Sequence, residues 1–373
     1  MDSYVRSPSA LEPILAAFRR EALVSVDTEA ASFHKYRDRI YLIQLSTRTE
    51  TAILDPLTLP DLAPLGALLA DRAVEKVFHD ADYDLRILDR DYGFRPTHLT
   101  DTRIAAQLAG EPAIGLAALL EKYLGVKLSK EHQKADWSRR PLPPEMLAYA
   151  AADTRHLAAL RDALLARLRD LGRLAWAEEE FTRLEALRWT GTGNGVDAYL
   201  RMKGAKALAP RQLAVLRELY QWRESLGARE DRATFRIVGN DVLLAVSRSL
   251  PGTRAGLAET PGVPAALAAR HGAALLEAVQ RALALDEDAL PRVERPARMA
   301  RDPDLEARVE RLKGARNRVA AELGLDPGVL CGRGALEAVA RARPSDRSAL
   351  AQVPELRRWQ IDVLGDALVA ALA

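Results

Sequence analysis

Residues 22–46 read ALVSVDTEAASFHKYRDRIYLIQLS and contain the two strongest strand signals of the chain. Ala22–Thr28 and Ile40–Ser46 are rich in Val, Ile, Leu and Tyr, a composition typical of β-strands. A shorter strand is predicted at Thr51–Leu54, and a buried one at Lys76–His79. These four segments predict a β-sheet in the first part of the chain.

Helical spacing of apolar residues follows the strands. The last strand leads into a predicted helix from about Asp82, and further helices are predicted at Ile104–Leu108, Ile114–Leu124 and Glu145–Leu168. Strands followed by alternating strands and helices are typical of a mixed sheet flanked by helices. We therefore predict an α/β domain over residues 1–188.

Length and composition limit the class of protein. The chain has 373 residues, and one hydrophobic core stops growing at about 250–300 residues, so more than one domain is expected. Hydrophobic residues make up 48% and charged residues 28%, which argues against a disordered scaffold. The net charge is only +2, so any affinity for nucleic acid must come from local basic patches.

Cysteine content and targeting signals indicate the cellular compartment of the protein. Cys331 is the single cysteine, so an internal disulfide and a thiolate zinc site are excluded, and we expect this residue to be buried. The start of the chain lacks the features of a signal peptide, and no stretch approaches the ~18 apolar residues of a membrane span. No G-x-x-x-x-G-K-[ST] phosphate loop occurs. We expect a cytoplasmic protein with neither a membrane partner nor a nucleotide cofactor.

Beyond about residue 205 the chain is rich in Ala, Leu and Arg, loses its strand signals and repeats itself. Seven residues recur 93 positions further on: Gly239, Val246, Pro251, Arg254, Leu257, Pro261 and Gly272 match Gly332, Val339, Pro344, Arg347, Leu350, Pro354 and Gly365. This match indicates a duplicated helical domain, predicted at residues 205–289 and 303–373. Upstream, the register is predicted to slip to 95, so that Trp222-Arg223 faces Asn317-Arg318.

Acidic residues concentrate in three short segments. Asp27 and Glu29 leave the first strand on one face, because side chains alternate along a strand. Three aspartates lie within residues 80–84, where a strand passes into a helix. Tyr149 and Asp153 are four residues apart and share one face of a predicted helix. Each segment alone also fits solvated charges at the ends of strands and helices.

Four carboxylates at one site predict a metal centre. They would repel one another and raise each other's pKa values, an arrangement that a structural core does not use. Two divalent cations would neutralise four negative charges, and hard oxygen ligands suit Mg²⁺ or Mn²⁺. Two metals ~3.5–4 Å apart can clamp the attacking and leaving oxygens of a phosphodiester. The acids therefore favour metal-dependent phosphodiester hydrolysis.

The same segments resemble a known family. The three exonuclease motifs of the ribonuclease D family are similar to Asp27-Thr28-Glu29, to FHDADYDL ending in Asp84-Leu85, and to Tyr149-x-x-x-Asp153. Supporting segments that also resemble the family are Leu42–Leu45, Asp101-Thr102 and Asp136–Leu142. The duplicated region resembles the HRDC domain, shared by helicases and ribonuclease D, present twice. The resemblance covers nearly the whole chain.

The resemblance implies a fold, an activity and a set of site residues. The fold would be a ribonuclease-H-like α/β exonuclease domain followed by two small all-α HRDC-like domains. The activity would be removal of nucleotides from the 3′ end of RNA, with transfer-RNA precursors and other structured RNAs as substrates. Tyr149 would orient the attacking water as a hydrogen-bonding group, since an ordinary Tyr pKa is ~10. The implied metal ligands are Asp27, Glu29, Asp84 and Asp153.

The histidine subgroup of these exonucleases is not matched. That subgroup has a histidine five positions before the last aspartate, and the position here is Ala148. The chain therefore resembles the subgroup that uses a tyrosine.

Two groups of basic residues are candidates for contacts with RNA phosphates, with a solvated charged face as the alternative. Trp222 and Trp359 are expected in helical cores rather than stacked on bases. The second helical copy lacks the Trp-Arg pair in the predicted register, so we expect it to contribute less to RNA binding. The candidates are Lys127 and Lys130 near the predicted site, and Arg201, Lys203, Lys206 and Arg211 before the first helical copy.

Two other functions remain open on the residues alone. One is a single-strand DNA 3′-5′ exonuclease, since the acids indicate only a phosphodiester. The other is a catalytically inactive RNA-binding adaptor, which the intact set of five motif residues disfavours. We expect the chain to act as a monomer on RNA with a free 3′ end.

Overall fold

The computed structural model describes residues 2–129, 131–191, 197–293 and 302–373. The chain forms two compact units, one of residues 1–29, 40–189 and 300–373, the other of residues 30–39 and 190–299. The first unit thus combines the α/β region with the second helical copy, and the second unit contains the first helical copy.

A mixed sheet lies at the centre of the first unit. Its strands within the described residues are β1 (Asp2–Val5), β2 (Leu23–Ala30), β3 (Ile40–Ser46), β4 (Thr51–Leu54), β5 (Glu75–Phe78) and β6 (Leu99–Asp101). Their order across the sheet is β1-β4-β3-β2-β5-β6. β3 and β4 are antiparallel, whereas β1 pairs with β4, β2 with β5, and β5 with β6 in parallel. The predicted mixed sheet is confirmed.

Helices cover the sheet, three of them in segments where no helix was predicted from the sequence. They are α1 (Pro8–Phe18), α2 (Ala63–Ala70), α3 (Asp82–Tyr92), α4 (Thr102–Leu108), α5 (Leu116–Leu124), α6 (Pro144–Arg155), α7 (Leu157–Asp170) and α8 (Leu174–Leu184). One apolar core joins α1, α2 and α3 to the strands, and a second joins α4, α5, α7 and α8. Successive strand residues serve different cores: Val24 belongs to the first and Leu23 to the second.

The predicted helix Glu145–Leu168 was wrong as one continuous element. It is divided at His156 into α6 and α7. The halves have different partners, since α6 packs on β3 and β4 while α7 packs on α4, α5 and β5. The buried hydroxyls of Thr154 and Ser46, 2.7 Å apart, hold the end of α6 on the sheet. Apolar spacing along the chain continues through both halves, so it does not reveal the change of direction.

The helical duplication keeps one register throughout. The first copy has α9 (Pro210–Glu230), α10 (Asn240–Ser249), α11 (Arg254–Glu259) and α12 (Ala265–Leu283). The second has α13 (Pro303–Leu323), α14 (Pro327–Leu330), α15 (Arg333–Ala342), α16 (Arg347–Leu350) and α17 (Arg358–Leu372). Each helix of the second copy begins 93 residues after its equivalent in the first, and the equivalent of α14 is a short 3₁₀ helix, Thr234–Arg236.

The predicted slip to a register of 95 is therefore wrong. At a shift of 93, Arg223 is equivalent to Arg316, and both are buried. The Arg223 guanidinium donates to the Val238 carbonyl at 3.1 Å, and that of Arg316 donates to the equivalent Cys331 carbonyl at 2.7 Å. The buried arginine is thus a shared structural feature that ties the first long helix of each copy to the following turn.

The second helical copy packs against the α/β region. The Trp176 and Trp359 rings stack with centroids 5.0 Å apart at 15°. Glu179 accepts hydrogen bonds from the backbone N–H groups of Arg358 and Trp359, at 2.8 and 3.1 Å, and so caps the start of α17. Arg173 donates to the Leu323 carbonyl at 2.5 Å. The predicted division into three consecutive domains, 1–188, 205–289 and 303–373, stays a prediction, but the third segment shares a core with the first.

Cys331 is fully buried, as predicted, and burial raises the pKa of its thiol to about 11. Among the described residues, no helix is both long enough and apolar enough to cross a membrane.

Candidate active site

Strand β2 carries the first two acids. It extends two residues beyond the predicted end, so Glu29 is still within the strand and on the same face as Asp27. The preceding residues Leu23–Val26 are buried, whereas both acids are half-buried. A buried strand thus ends by presenting two carboxylates side by side.

The turn between β5 and α3 places the third acid, Asp84, in the first turn of α3. Asp84 is buried and accepts a short hydrogen bond from the Thr28 hydroxyl. The turn itself is held by the buried carboxylate of Asp101, which accepts from the backbone N–H groups of Asp80 at 3.1 Å and Ala81 at 2.7 Å. The same carboxylate caps the N-terminus of α4.

Helix α6 presents Tyr149 and Asp153 on one face, as predicted from their spacing. The Tyr149 ring packs against Trp137 and His132, with centroids 6.1 and 5.8 Å away. The loop that carries these two residues is anchored by Arg140. Its guanidinium donates to both carboxylate oxygens of buried Asp55, at 2.6 and 2.8 Å.

The structure brings the five predicted residues to one cavity. Asp27, Glu29 and Asp153 each offer a carboxylate oxygen within 4.8 Å of the other two. Asp84 and Tyr149 line the same cavity, whose volume is about 570 Å³. Asp84 lies outside the three-acid group, and its bond from Thr28 directs one of its oxygens toward β2.

Burial raises the pKa of every acid at this site, and neighbouring carboxylates raise it further for Asp27, Glu29 and Asp84. The pKa of Asp27 rises to about 8, mainly through burial and then through the charge of Asp153. Burial raises the pKa of Asp153 to about 7. The pKa values of Glu29 and Asp84 are also raised, first by burial and then by the neighbouring carboxylates. The four acids therefore cannot all be ionised near neutral pH unless positive charge is supplied.

Tyr149 remains a phenol at this site. Burial and then the charges of Asp153, Glu29 and Asp27 raise its pKa above the ordinary value. A phenolate base is thus disfavoured, and the hydroxyl is suited to a hydrogen-bonding role.

Two further residues shape the cavity, and neither was assigned a role from the sequence. His79 lines the cavity, and its Nδ1 lies 2.9 Å from the Thr102 hydroxyl. Burial lowers the His79 pKa to about 4, so the imidazole is neutral. The second residue is Thr28, which lies between the two acids of β2 and positions Asp84. Its place in the Asp27-Thr28-Glu29 motif was the available signal.

Among the described residues that line this cavity, none is a predicted RNA-binding residue. Lys127 is exposed, with its Nζ 3.7 Å from Glu121, and Lys130 falls outside the described residues. Lys203 and Lys206 are exposed on the second unit, as is Arg201.

Arg211 contacts the segment that follows α12. Its guanidinium donates to the Leu285 carbonyl at 2.5 Å and to Glu287 at 2.6 Å, near the C-terminus of α12. RNA binding by Arg211 stays a prediction.

The fold and its acid-lined cavity define a class of enzyme, the 3′-5′ exonucleases. A family model described as 3′-5′ exonuclease matches residues 3–169, and one described as HRDC domain matches residues 212–279 and 306–372. Ribonuclease D of Gluconacetobacter diazotrophicus is 34% identical over 367 residues, covering 96% of this chain and 90% of the relative. Ribonuclease D of Escherichia coli K12 is 33% identical over 288 residues, covering 77% and 76%. The chain belongs to the ribonuclease D family.

Solved structures agree with this assignment. The crystal structure of Escherichia coli RNase D, described as an exoribonuclease involved in structured RNA processing, matches with a TM-score of 0.73 and 27% identity, covering 100% of this chain and 98% of that one. The catalytic core of RRP6 from Trypanosoma brucei matches with a TM-score of 0.68 and 28% identity, covering 76% and 81%. The predicted exonuclease fold with HRDC domains is confirmed, and the chain is a 3′-5′ exoribonuclease.

Proposed function

We propose that the chain removes nucleotides one at a time from the 3′ end of RNA, by metal-dependent hydrolysis in the cavity that contains Asp27, Glu29, Asp84 and Asp153. The observation that carries this proposal is the approach of three carboxylate oxygens to within 4.8 Å of one another. Like charges so close are unfavourable without a cation, and after burial the charges of neighbouring acids raise the pKa values of Asp27 and Glu29. Bound metal ions would offset the repulsion between the carboxylates and would catalyse phosphodiester hydrolysis.

The residues fit two divalent cations, Mg²⁺ or Mn²⁺. The site offers oxygen donors from four carboxylates, which suit hard cations and match two doubly charged ions in total charge. When bound, such ions supply charge stabilisation for the attacking and leaving oxygens of the phosphodiester. Asp27, Glu29 and Asp153 form the close group of ligands, and Asp84 supplies a fourth carboxylate that Thr28 holds in place.

The chain's own side chains orient the reactants. Tyr149 keeps its proton and can hold the attacking water by a hydrogen bond, with its ring fixed between Trp137 and His132. Neutral His79 adds no positive charge to the cavity. The Asp101 carboxylate keeps the turn before Asp84 in place, so this acid does not depend on a mobile loop.

The natural substrates are proposed from the family. The E. coli relative is described as acting in structured RNA processing, and we propose structured RNAs, including transfer-RNA precursors, for this chain as well. All five motif residues come from one chain, which is consistent with an active monomer.

The direction of hydrolysis and the preference for RNA are tested with RNA labelled at its 5′ end. We expect a ladder that shortens one nucleotide at a time from the 3′ end, and full protection by a 3′-terminal phosphate. A matched DNA strand is expected to react more slowly. Internal cleavage, shortening from the 5′ end, or equal rates on RNA and DNA would contradict the proposal.

A further inference from the structure

Two exposed phenylalanines meet on the surface of the second unit. Phe33 and Phe235 keep 46% and 53% of their surface exposed, and their rings contact edge to face with centroids 6.3 Å apart. Among the described residues only five large hydrophobic side chains are exposed, so two of the five form this one pair. An exposed apolar cluster of this kind marks an interaction site more often than a fold requirement.

The pair is held in place by its backbone. The His34 carbonyl accepts a hydrogen bond from the N–H of Ala233 at 3.1 Å, and the Lys35 ammonium lies 3.1 Å from the carboxylate of Asp231. Tyr36 packs so closely on Gly227 that a Cβ at this glycine would lie 2.9 Å from its ring. The segment 30–39 is therefore pinned to the first helical copy, and both rings stay exposed on an ordered backbone.

The surroundings of the pair are basic. Residues 30–39 and 229–236, the two segments that carry the phenylalanines, contain six Lys or Arg and three Asp or Glu. Phe235 also lines a cavity of about 310 Å³, together with Tyr36 and Tyr220. Exposed aromatic rings among basic residues are typical of sites that stack the bases of single-stranded nucleic acid and attract its phosphates.

The position of the pair in the chain connects it with the reaction. Phe33 follows Glu29 by four residues, so the segment that leaves the strand of acidic residues leads directly to the pair. We propose that Phe33 and Phe235 form a stacking platform for bases of the single-stranded RNA whose 3′ end is hydrolysed. This proposal rests on the proposed function for its ligand and adds a binding site outside the acidic cavity.

Binding of single-stranded RNA by the full-length protein tests the platform. The probe is a short unstructured RNA with 2-aminopurine at successive positions, titrated in the presence of chelator and in an Asp27→Asn background to prevent hydrolysis. We expect Phe33→Ala and Phe235→Ala each to raise Kd by about 5- to 100-fold, because one stacked base is lost. Phe33→Trp is expected to stay close to wild type, and the slope of log Kd against log salt should not change.

Leu283→Ala is the matched control, because Leu283 is 40% exposed on the same unit but lies outside the aromatic pair. We expect it to leave Kd unchanged. An abasic nucleotide placed at one or two particular positions of the RNA should weaken binding by the wild type. In Phe33→Ala the same abasic nucleotides should cause no further loss of affinity. Wild-type affinity in both alanine variants would overturn the proposal, as would an equal loss in Leu283→Ala.

Failure of the platform and failure of the proposed function give different results. If only the platform is wrong, the alanine variants bind RNA normally while the wild type still hydrolyses RNA from its 3′ end. If the proposed function is wrong, RNA is not shortened from the 3′ end by any variant, whatever the binding data show.

Discussion

Replacing Asp27 by Asn should stabilise the metal-free protein while it inactivates the enzyme. In the folded state the Asp27 carboxyl has a pKa of about 8, against an ordinary value of 3.8, because it is buried and faces Asp153. A carboxyl whose pKa is raised by folding destabilises the folded state once it ionises. This cost is absent below about pH 4, grows as pH rises, and is complete above about pH 8. Asn keeps the shape and removes the charge.

The size of the effect follows from the shift. Each pKa unit corresponds to ~1.4 kcal/mol, so the full shift sets an upper limit of about 6 kcal/mol. Solvent reaches part of the Asp27 side chain and the acids share their protons, so we expect ~1–3 kcal/mol at pH 9. For a folded unit of this size that corresponds to a rise in Tm of about 2–10 °C.

Thermal unfolding with chelator at pH 5 and pH 9 measures this directly. Asp27→Asn should gain stability at pH 9 and little at pH 5, and Mg²⁺ should raise the Tm of the wild type more than that of the variant. Asp82→Asn is the control, because Asp82 is exposed on α3 and pairs with Arg86 at 2.7 Å. A lower Tm for Asp27→Asn at pH 9, or the same gain in Asp82→Asn, would refute the reasoning.

Three further predictions concern the supporting residues. Tyr149→Phe should lower kcat by ~10²–10³ with metal affinity unchanged, as for the removal of one positioned donor; loss as complete as in Asp153→Ala, measured by single-turnover rates, would assign Tyr149 a larger role. Asp101→Ala should leave buried backbone N–H groups unpaired and destabilise the fold by ~1–3 kcal/mol, with lower activity; unchanged urea unfolding and rate would speak against its role in holding the turn. Trp359→Ala should destabilise the first unit by ~3–5 kcal/mol, because the stacked contact with Trp176 is lost. A chain ending at Ala289 should lose still more stability. Wild-type urea unfolding in either case would show that the second copy is independent of the α/β region.

The last of these predictions differs from what the sequence alone suggests. If the three predicted domains were independent, removal of the second helical copy would lower RNA affinity and leave the stability of the α/β region unchanged. The structure instead places Trp359 on Trp176 and caps α17 with Glu179. Such contacts join residues about 180 positions apart, and no local pattern in either segment indicates them.

Local patterns were sufficient for the acids and their elements. Alternation along β2 predicted that Asp27 and Glu29 share a face, and four-residue spacing predicted the same for Tyr149 and Asp153. These relations depend only on the geometry of one strand or one helix. The approach of β2 to α6, which brings Asp153 to the other acids, depends on the whole sheet and was inferred from the charges and the family resemblance.

Other elements gave weaker signals. The short strands β1 and β6 were not predicted; each contains an aspartate, a residue type depleted in strands. Asp101 was noted only as part of a segment that resembles the family. That its carboxylate holds the turn before Asp84 was not predicted. Its four backbone partners lie partly in its own helix and partly across the sheet at residues 80 and 81.

The repeat shows a similar limit. Identical residues fixed the register of 93 in the second half of each copy, but the Trp-Arg pair led to a wrong register upstream. What the two copies share there is the buried arginine, Arg223 or Arg316, and its carbonyl partner. The tryptophan beside Arg223 has Ala315 as its equivalent, so sequence identity is lost where the hydrogen bond is kept.

The most direct test of the account is the single-turnover rate of RNA hydrolysis by the wild type, Asp27→Asn and Asp82→Asn, with Mg²⁺, Mn²⁺ or chelator. We expect the wild type and Asp82→Asn to shorten the RNA with either metal and to stop with chelator. Asp27→Asn should lose more than ~10³ in rate with either metal, a larger effect than the loss of one positioned hydrogen-bond donor. Hydrolysis that continues in chelator, or a near-wild-type rate for Asp27→Asn with Mg²⁺, would contradict a metal-dependent site built on these acids.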